Sequence, residues 1–465
     1  MGEVGVDGME GASEDQKPGD QSSEGEDSHD EENGDIAADH GQEESLPPER
    51  IVLVVMICVI QGYTLVGPLQ HAFKQSLHIS DDSPNGRIFT QAAALVQWFK
   101  WSMTLAQNFL LQCLSVKARV YLSMVCMMLG CLIPPVFIYS LGHLWIGWAF
   151  LSFGLVGMSL GVFEVAYLNV ITPLGPLTKS WAIIGFPASF AIINVIGFTL
   201  VSFGMPVAVL FWYIVLCMPV GLIIFAKRIV PKLRVGSVDS GPAASGRVLK
   251  SNKQAKVWNS VRHWYAWVPI LCPYILAHFV TDFVMEGALP ANFNTFNSDK
   301  VPLFGPTDNH LMDKHRFFVV FFVFVGLSDM ASRRFAYCFA LDTLLKNIVA
   351  LCFGVTCSVL GMCLTILGIG AVSWASAALT FFGQGFNYAV ASKSIDKFIP
   401  REHNLAAYSL WMFIGSAGAI AGSTLVDQIR FWICRGEVYT HQCLDHVHGH
   451  YTGTRIYRAL QFLFF

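Results

Sequence analysis

A chain of 465 residues in which 54% of side chains are hydrophobic and 14% charged is more apolar than an ordinary soluble domain, where the share is about 45–50%. Its net charge of −3 hides two unlike parts: 17 Asp and Glu stand against Lys17 and Arg50 in residues 1–50, while the rest carries 28 basic and 16 acidic residues. No phosphate-cradling Gly-Lys-Ser/Thr loop, nucleophile–base arrangement or cofactor fingerprint occurs. The chain therefore reads as no enzyme, with no cofactor and no nucleic-acid partner.

Residues 1–49 are rich in Glu, Asp, Ser and Gly. Such a segment cannot bury enough apolar surface to fold, and is expected to be a disordered acidic tail. It lacks the basic start and apolar core of a secretory signal. Apolar blocks follow, among them Ile51–Leu69, Val120–Ile138, Ile146–Val170, Val207–Ala226 and Ala371–Ala391. Each runs about 20 residues, the length that crosses roughly 30 Å of hydrocarbon as a helix. Helices satisfy their own backbone groups in lipid, so an all-α integral membrane fold is predicted. Spans are placed near 51–70, 89–113, 120–140, 144–170, 181–202 and 206–226. Five more are placed near 264–289, 310–328, 338–366, 370–391 and 405–432. The expected domains are a six-helix bundle over 50–226, a basic loop over 227–262, a second bundle over 263–432, and a Cys/His tail over 433–465. Ile456–Phe465 turn apolar again like the start of a twelfth span that is not completed.

Charge sets the expected orientation. One alternate set of short loops holds Lys117, Arg119, Lys179, Arg333, Arg334, Lys393, Lys397 and Arg401, and the central stretch runs from Lys227 to Arg262 with many more. The opposite short loops, around Gly142, Gly204 and Gly368, have no basic residue. The positive-inside bias places the acidic tail and the central loop in the cytosol. Most of the 12 cysteines sit within apolar blocks as small hydrophobes.

The halves repeat. Trp181-Ala-Ile-Ile-Gly185 is echoed by Trp411-Met-Phe-Ile-Gly415, and the segment Leu114–Tyr121 by Leu327–Tyr337. Duplicated units of this kind build many secondary transporters, with the substrate site near mid-membrane between repeats. The later loop keeps Asp329, Arg333 and Arg334 at the spacing of the signature that follows the second and eighth spans of the major facilitator superfamily. The chain resembles that superfamily over roughly residues 51–432. The resemblance implies two pseudo-symmetric six-helix bundles, the second here lacking a complete twelfth helix, and a loop motif that latches cytosolic helix ends. The match is partial: Val325, Met330 and Ser332 replace signature residues, and the earlier copy keeps only Lys117 and Arg119. Gly185-Phe-Pro187 only outlines the antiporter Gly-Pro motif, and a Pro here reads as a tolerated kink.

Polar residues inside spans mark the candidate pathway, because a charge in hydrocarbon costs about 2.5–3.5 kcal/mol even on insertion scales. Gln97, Lys100, Thr104, Gln107 and Asn108 share one face of the second span. Glu164 lies deep in the fourth span, with Asn169 five residues on, and is the expected partner of Lys100. His278, Asp282 and Glu286 recur at i, i+4 and i+8 in the seventh span, a plausible proton relay. Gln384, between Gly383 and Gly385, and Asn387 occupy the tenth. Gly157-x-x-x-Gly161 and Gly418-x-x-x-Gly422 read as packing pairs. In the tail, Cys434, His441, Cys443, His446, His448 and His450 match no zinc-finger spacing, so no metal is expected, and Cys434–Cys443 could close a bridge.

The function expected is a secondary active transporter that moves a small polar or charged solute by alternating access, coupled to protons. The alternative is a non-transporting receptor or regulatory protein of the same fold. Expected partners are membrane lipid, a small-molecule substrate and protons, with the chain a monomer in the plasma membrane or an organelle membrane.

Overall fold

The computed structural model describes residues 48–66, 77, 79, 84–235, 262–295, 300–304, 310–365, 369–400 and 402–425. The acidic tail up to residue 47, most of the central basic stretch, and the Cys/His tail with its apolar end lie outside the described residues.

Among the described residues, eleven long helices follow one another. They are α1 (Pro48–Val66), α2 (Pro84–Leu110), α3 (Val116–Ile133), α4 (Gly147–Ile171), α5 (Pro176–Ala191), α6 (Val207–Ile224), α7 (Trp264–Thr295), α8 (Lys314–Tyr337), α9 (Leu344–Thr365), α10 (Gly370–Phe398) and α11 (Asn404–Thr424). A short antiparallel hairpin, β1 (Lys300–Pro302) and β2 (Leu311–Asp313), pairs Val301 with Met312 before α8. No strand was expected from the sequence.

Local chemistry sets several of these limits. The Ser115 hydroxyl caps α3 by accepting from the Ala118 N–H at 3.2 Å. Gly175 (φ 97°) and Gly204 (φ 87°) turn the chain at α4–α5 and α5–α6 in a left-handed conformation that other residues rarely adopt. Three π-helical turns prolong α3, α5 and α6, over Pro134–Ser140, Ile192–Gly197 and Phe225–Ile229. Proline withdraws a backbone donor at the first of them and upstream of the others, at Pro187 and Pro219. Lost donors of this kind favour a locally widened helix.

Seven of the helices (α3–α7, α9 and α11) are long and apolar enough to cross a membrane, and α1 carries a shorter apolar stretch, Arg50–Leu65. The chain is a multi-pass integral membrane protein. The remaining long helices, α2, α8 and α10, owe their lower hydropathy to the polar residues described below.

One boundary differs in a way that matters. The eighth span was expected to end near 328, leaving the signature residues in a loop. Instead α8 runs on to Tyr337, so Asp329, Arg333 and Arg334 lie on its last turns. The reason is the i, i+4 spacing of Asp329 and Arg333: the helix closes an ion pair between them, with Arg333 Nε donating to Asp329 Oδ1 at 2.6 Å.

Helices pack through glycine contacts. A Cβ added at Gly157 or Gly161 of α4 would collide with the α2 carbonyls of Val96 and Lys100. At Gly418 and Gly422 of α11 it would meet the α7 carbonyls of Phe279 and Phe283. Both small-residue pairs thus let backbones approach closely, as read from the sequence. Helices α1–α6 meet α7–α11 chiefly where α5 lies along α8 and α2 along α11. Phe190 packs on Phe322 and Phe381, and Trp101 stacks on Phe413 at 4.8 Å.

Candidate functional site

Close approach at Gly161 positions the first half of the site. It holds the Lys100 backbone against α4 one turn before Glu164. The Lys100 ammonium then reaches Glu164 Oε2 at 3.8 Å. On its other side it lies over the Tyr63 ring of α1, 5.8 Å from the centroid. Gln97 Nε2 donates to the Tyr63 hydroxyl at 2.8 Å. So Gln97, Lys100 and Glu164 come together as expected from their faces, and Tyr63 joins them. Lys100 keeps 16% of its side chain exposed. A charged group midway along α2 is therefore not fully enclosed.

The second half comes from α7, α8, α10 and α11. Tyr388 donates its hydroxyl to Glu164 Oε1 at 2.9 Å, linking α10 to α4. Beneath the Tyr388 ring sits the Arg333 guanidinium, 4.4 Å from the centroid. Arg333 is 2% exposed and grips Asp329 with two nitrogens. Its Nη1 donates to the Ile183 carbonyl of α5 at 3.2 Å. On α7, His278 Nε2 lies 3.5 Å from Asp282 Oδ2, the i, i+4 contact read from the spacing. Gln384 Nε2 donates to Asp282 Oδ1 at 3.2 Å. The His278 ring stacks on Trp411 at 4.6 Å and meets Tyr388 edge-on at 5.9 Å. Gly415 leaves the space that the imidazole fills, since a Cβ there would strike its ring. Asp282 and Glu286 both act electrostatically on Lys100.

Together these residues form one polar seam through the protein. It runs from Gln97 and Tyr63 through Lys100, Glu164 and Tyr388 to Arg333 and Asp329, with His278, Asp282 and Gln384 beside it. Opposite charges and hydrogen bonds offset the cost of holding these groups away from bulk water.

Other predicted residues stand apart. Gln107 donates to the carbonyls of Thr104 and Gly161 and is wholly buried in the α2–α4 contact. Asn108 is buried one residue further on. Asn169 is partly buried beyond Glu164. Asn387 faces Gly354 of α9, where its amide, turned to suit its neighbours, donates to the Leu351 carbonyl and accepts from the Val355 N–H, both at 3.2 Å. Gln107 and Asn387 thus hold helices together.

A second polar group lies at the end where α4 and α10 stop and α5 and α11 start. Lys179 bonds to Asp396 and to the Tyr408 hydroxyl, and donates to the Ser392 carbonyl at 3.4 Å. Thr172 reaches Asp396 at 3.5 Å. Arg334 donates to the Ser180 hydroxyl at 2.8 Å and covers the Trp181 ring. All of these bonds but the one to Ser392, a second link to α10, tie α4 or α5 to α8, α10 or α11 by side chains. The sequence counted Lys179, Arg333 and Arg334 among topological loop charges. Lys179 and Arg333 are instead almost fully buried. Asp396 escaped notice because it sits between Lys393 and Lys397 in a segment that reads as basic.

No protein-family model matches the chain, and neither does any curated protein. Solved structures do match. A bacterial homologue of the iron transporter ferroportin, in an outward-facing state, aligns with a TM-score of 0.57 and 13% identity, over 83% of this chain and 95% of that one. The fucose:proton symporter FucP of E. coli aligns with a TM-score of 0.49 and 15% identity, over 83% and 98%. The chain shares its fold with the ferroportin homologue, an all-α membrane architecture.

Proposed function

We propose that this chain is a secondary active transporter that carries a small polar or charged solute by alternating access, coupled to protons. In this reading α1–α6 and α7–α11 are two bundles that rock about the seam between them, over 50–226 and 263–432. The chain works as a monomer, with its N-terminus and the Lys179–Asp396 end in the cytosol. The observation that carries the reading is the Lys100–Glu164–Tyr388 chain, which joins helices of both sets at mid-depth and keeps some exposure. Charged groups at that depth belong to a pathway or to a buried pair. The exposure of Lys100 and the carboxylates unmatched by cations beside it favour the pathway.

Glu164 is the proposed proton carrier. It has Lys100 on one oxygen and Tyr388 on the other, so a change in its charge is felt by both helix sets. Side-chain bonds at the Lys179–Asp396 end hold one face closed. The test is uptake of candidate solutes into proteoliposomes holding the purified chain, with and without an inward proton gradient. Accumulation that rises with the gradient and collapses with a protonophore is expected. Uptake indifferent to the gradient removes the proton role.

A further inference from the structure

Carboxylates outnumber cations in the seam. Among the described residues Glu164, Asp282, Glu286 and Asp329 face Lys100 and Arg333. Lys100 is matched to Glu164 and Arg333 to Asp329, at 3.8 and 2.6 Å. Asp282 and Glu286 remain, with His278 beside Asp282. Neither has a Lys or Arg ion-pair partner among the described residues.

One unpartnered acceptor points the same way, independently of charge. Gln384 spends its amide nitrogen on Asp282 Oδ1, which leaves its Oε1, on the same terminal carbon, next to that carboxylate. This oxygen is buried and has no partner, and the residue is 6% exposed. A further acceptor beside a carboxylate wants a donor, and preferably a charged one. The rings of Tyr388 and Trp411, 4.9 Å apart by centroid, both contact His278, the first edge-on and the second stacked. The Tyr388 ring already holds the Arg333 guanidinium, so an aromatic–cation contact is part of this cluster. A metal ion fits poorly, because among the described residues no three His, Cys, Asp or Glu side chains converge to hold one.

Resting on the transporter reading, we propose that the solute is an organic cation bearing N–H donors, a protonated primary or secondary amine. Asp282 binds its charge and Gln384 Oε1 takes one of its hydrogens. Glu286, further along the same face of α7, adds attraction on the way in.

A matched set of four probes tests this: ethanolammonium, choline, glycolate and glycerol. They share size but differ in charge and in N–H donors. Flux into proteoliposomes of the full chain is compared with protein-free vesicles. Saturable flux of ethanolammonium is expected, with choline weaker and glycolate and glycerol at background. Asp282→Asn should raise the half-saturating concentration about tenfold or more, as loss of a charged partner does. Asp282→Glu should keep most of the flux, and Gln384→Leu should narrow the gap between ethanolammonium and choline. Equal thermal midpoints confirm that the variants fold. Flux of glycolate or glycerol without ethanolammonium overturns the cation assignment and leaves transport standing. Ethanolammonium flux unchanged in Asp282→Asn overturns the assignment to this site. No flux of any probe also overturns it. In that case thiol labelling of each face in turn shows separately whether the chain alternates at all.

Discussion

Replacing Asp396 with alanine is expected to open the end of the protein where α4, α5, α10 and α11 meet. Lys179 keeps only 2% of its side chain exposed, and Asp396, on the opposite helix set, supplies its counter-charge. Tyr408 and the Ser392 carbonyl cannot replace that charge. Removing one partner of a buried pair costs about 3–5 kcal/mol, because the other charge is stranded. Rigid helix sets escape that cost by parting and letting water reach Lys179. A bias of this size moves a two-state equilibrium by a factor of roughly 10²–10³. The measurement is the rate at which a cysteine placed at Ser180 reacts with an impermeant thiol reagent, which should rise steeply in Asp396→Ala. A joint Lys179→Met, Asp396→Leu variant should restore slow labelling, since a well-packed apolar pair is often as stable as the ion pair. Asp342→Ala is the matched control. Lys397 bonds to Asp342 at 2.5 Å and holds its carboxyl below the ordinary value, but the pair is exposed. Water screens such a pair, so labelling should not change.

Glu164→Gln should be the most damaging single change to uptake. The amide can still accept from Tyr388, so the α4–α10 bond survives. The charge beside Lys100 does not. An unmatched ammonium in this setting is held only by the ring of Tyr63 and by the distant carboxylates of α7. At about 3 kcal/mol, the low end of the range for a stranded partner, the loss is about a hundredfold. Initial uptake rates measured at saturating solute should fall by that order, and the residual flux should ignore the proton gradient. Adding Lys100→Met to Glu164→Gln should recover folding yield and thermal midpoint, but not gradient-driven accumulation. A Glu164→Gln variant that still accumulates solute with the gradient would remove Glu164 from the coupling role.

Much of this architecture could be read before any coordinates. Span length and the emptiness of alternate loops placed the helices, because lipid forces each segment to satisfy its own backbone. Helical spacing also paired Lys100 with Glu164 and His278 with Asp282, since both follow from faces and depth. The misreadings share a cause. A polar residue inside a span was taken as facing the pathway, yet Gln107 and Asn387 spend their amides on neighbouring helix backbones. Periodicity gives the face of a helix but not what stands opposite it. Basic residues at span ends were taken as topological charges, so Lys179 went unrecognised as a buried link, while Arg333, read as part of a latching loop motif, is buried on a helix instead. The end of α8 was set too early because Asp329 and the two arginines read as loop polarity. Their i, i+4 pairing on a helix offered the opposite signal. Tyr63, Tyr388 and Trp411 carried no signal of their own: in a chain with 13 Tyr and 12 Trp, an aromatic at a span position marks a membrane surface as readily as a site.

The most direct test of a solvent-reachable seam between the helix sets is the reactivity of a cysteine placed within it. Gln97→Cys sits midway along α2, on the face of Lys100, whereas Leu129→Cys sits on a lipid-exposed face of α3, 44% open in the protein. With labelled sites assigned by peptide mass, a membrane-impermeant thiol reagent should modify Cys at position 97 from one side of the membrane. It should leave position 129 untouched, and added solute should slow the reaction at 97. If position 97 is as inert as position 129 from both sides, no aqueous path reaches the Lys100–Glu164 pair. The chain would then hold that pair as a packed strut and carry nothing through it.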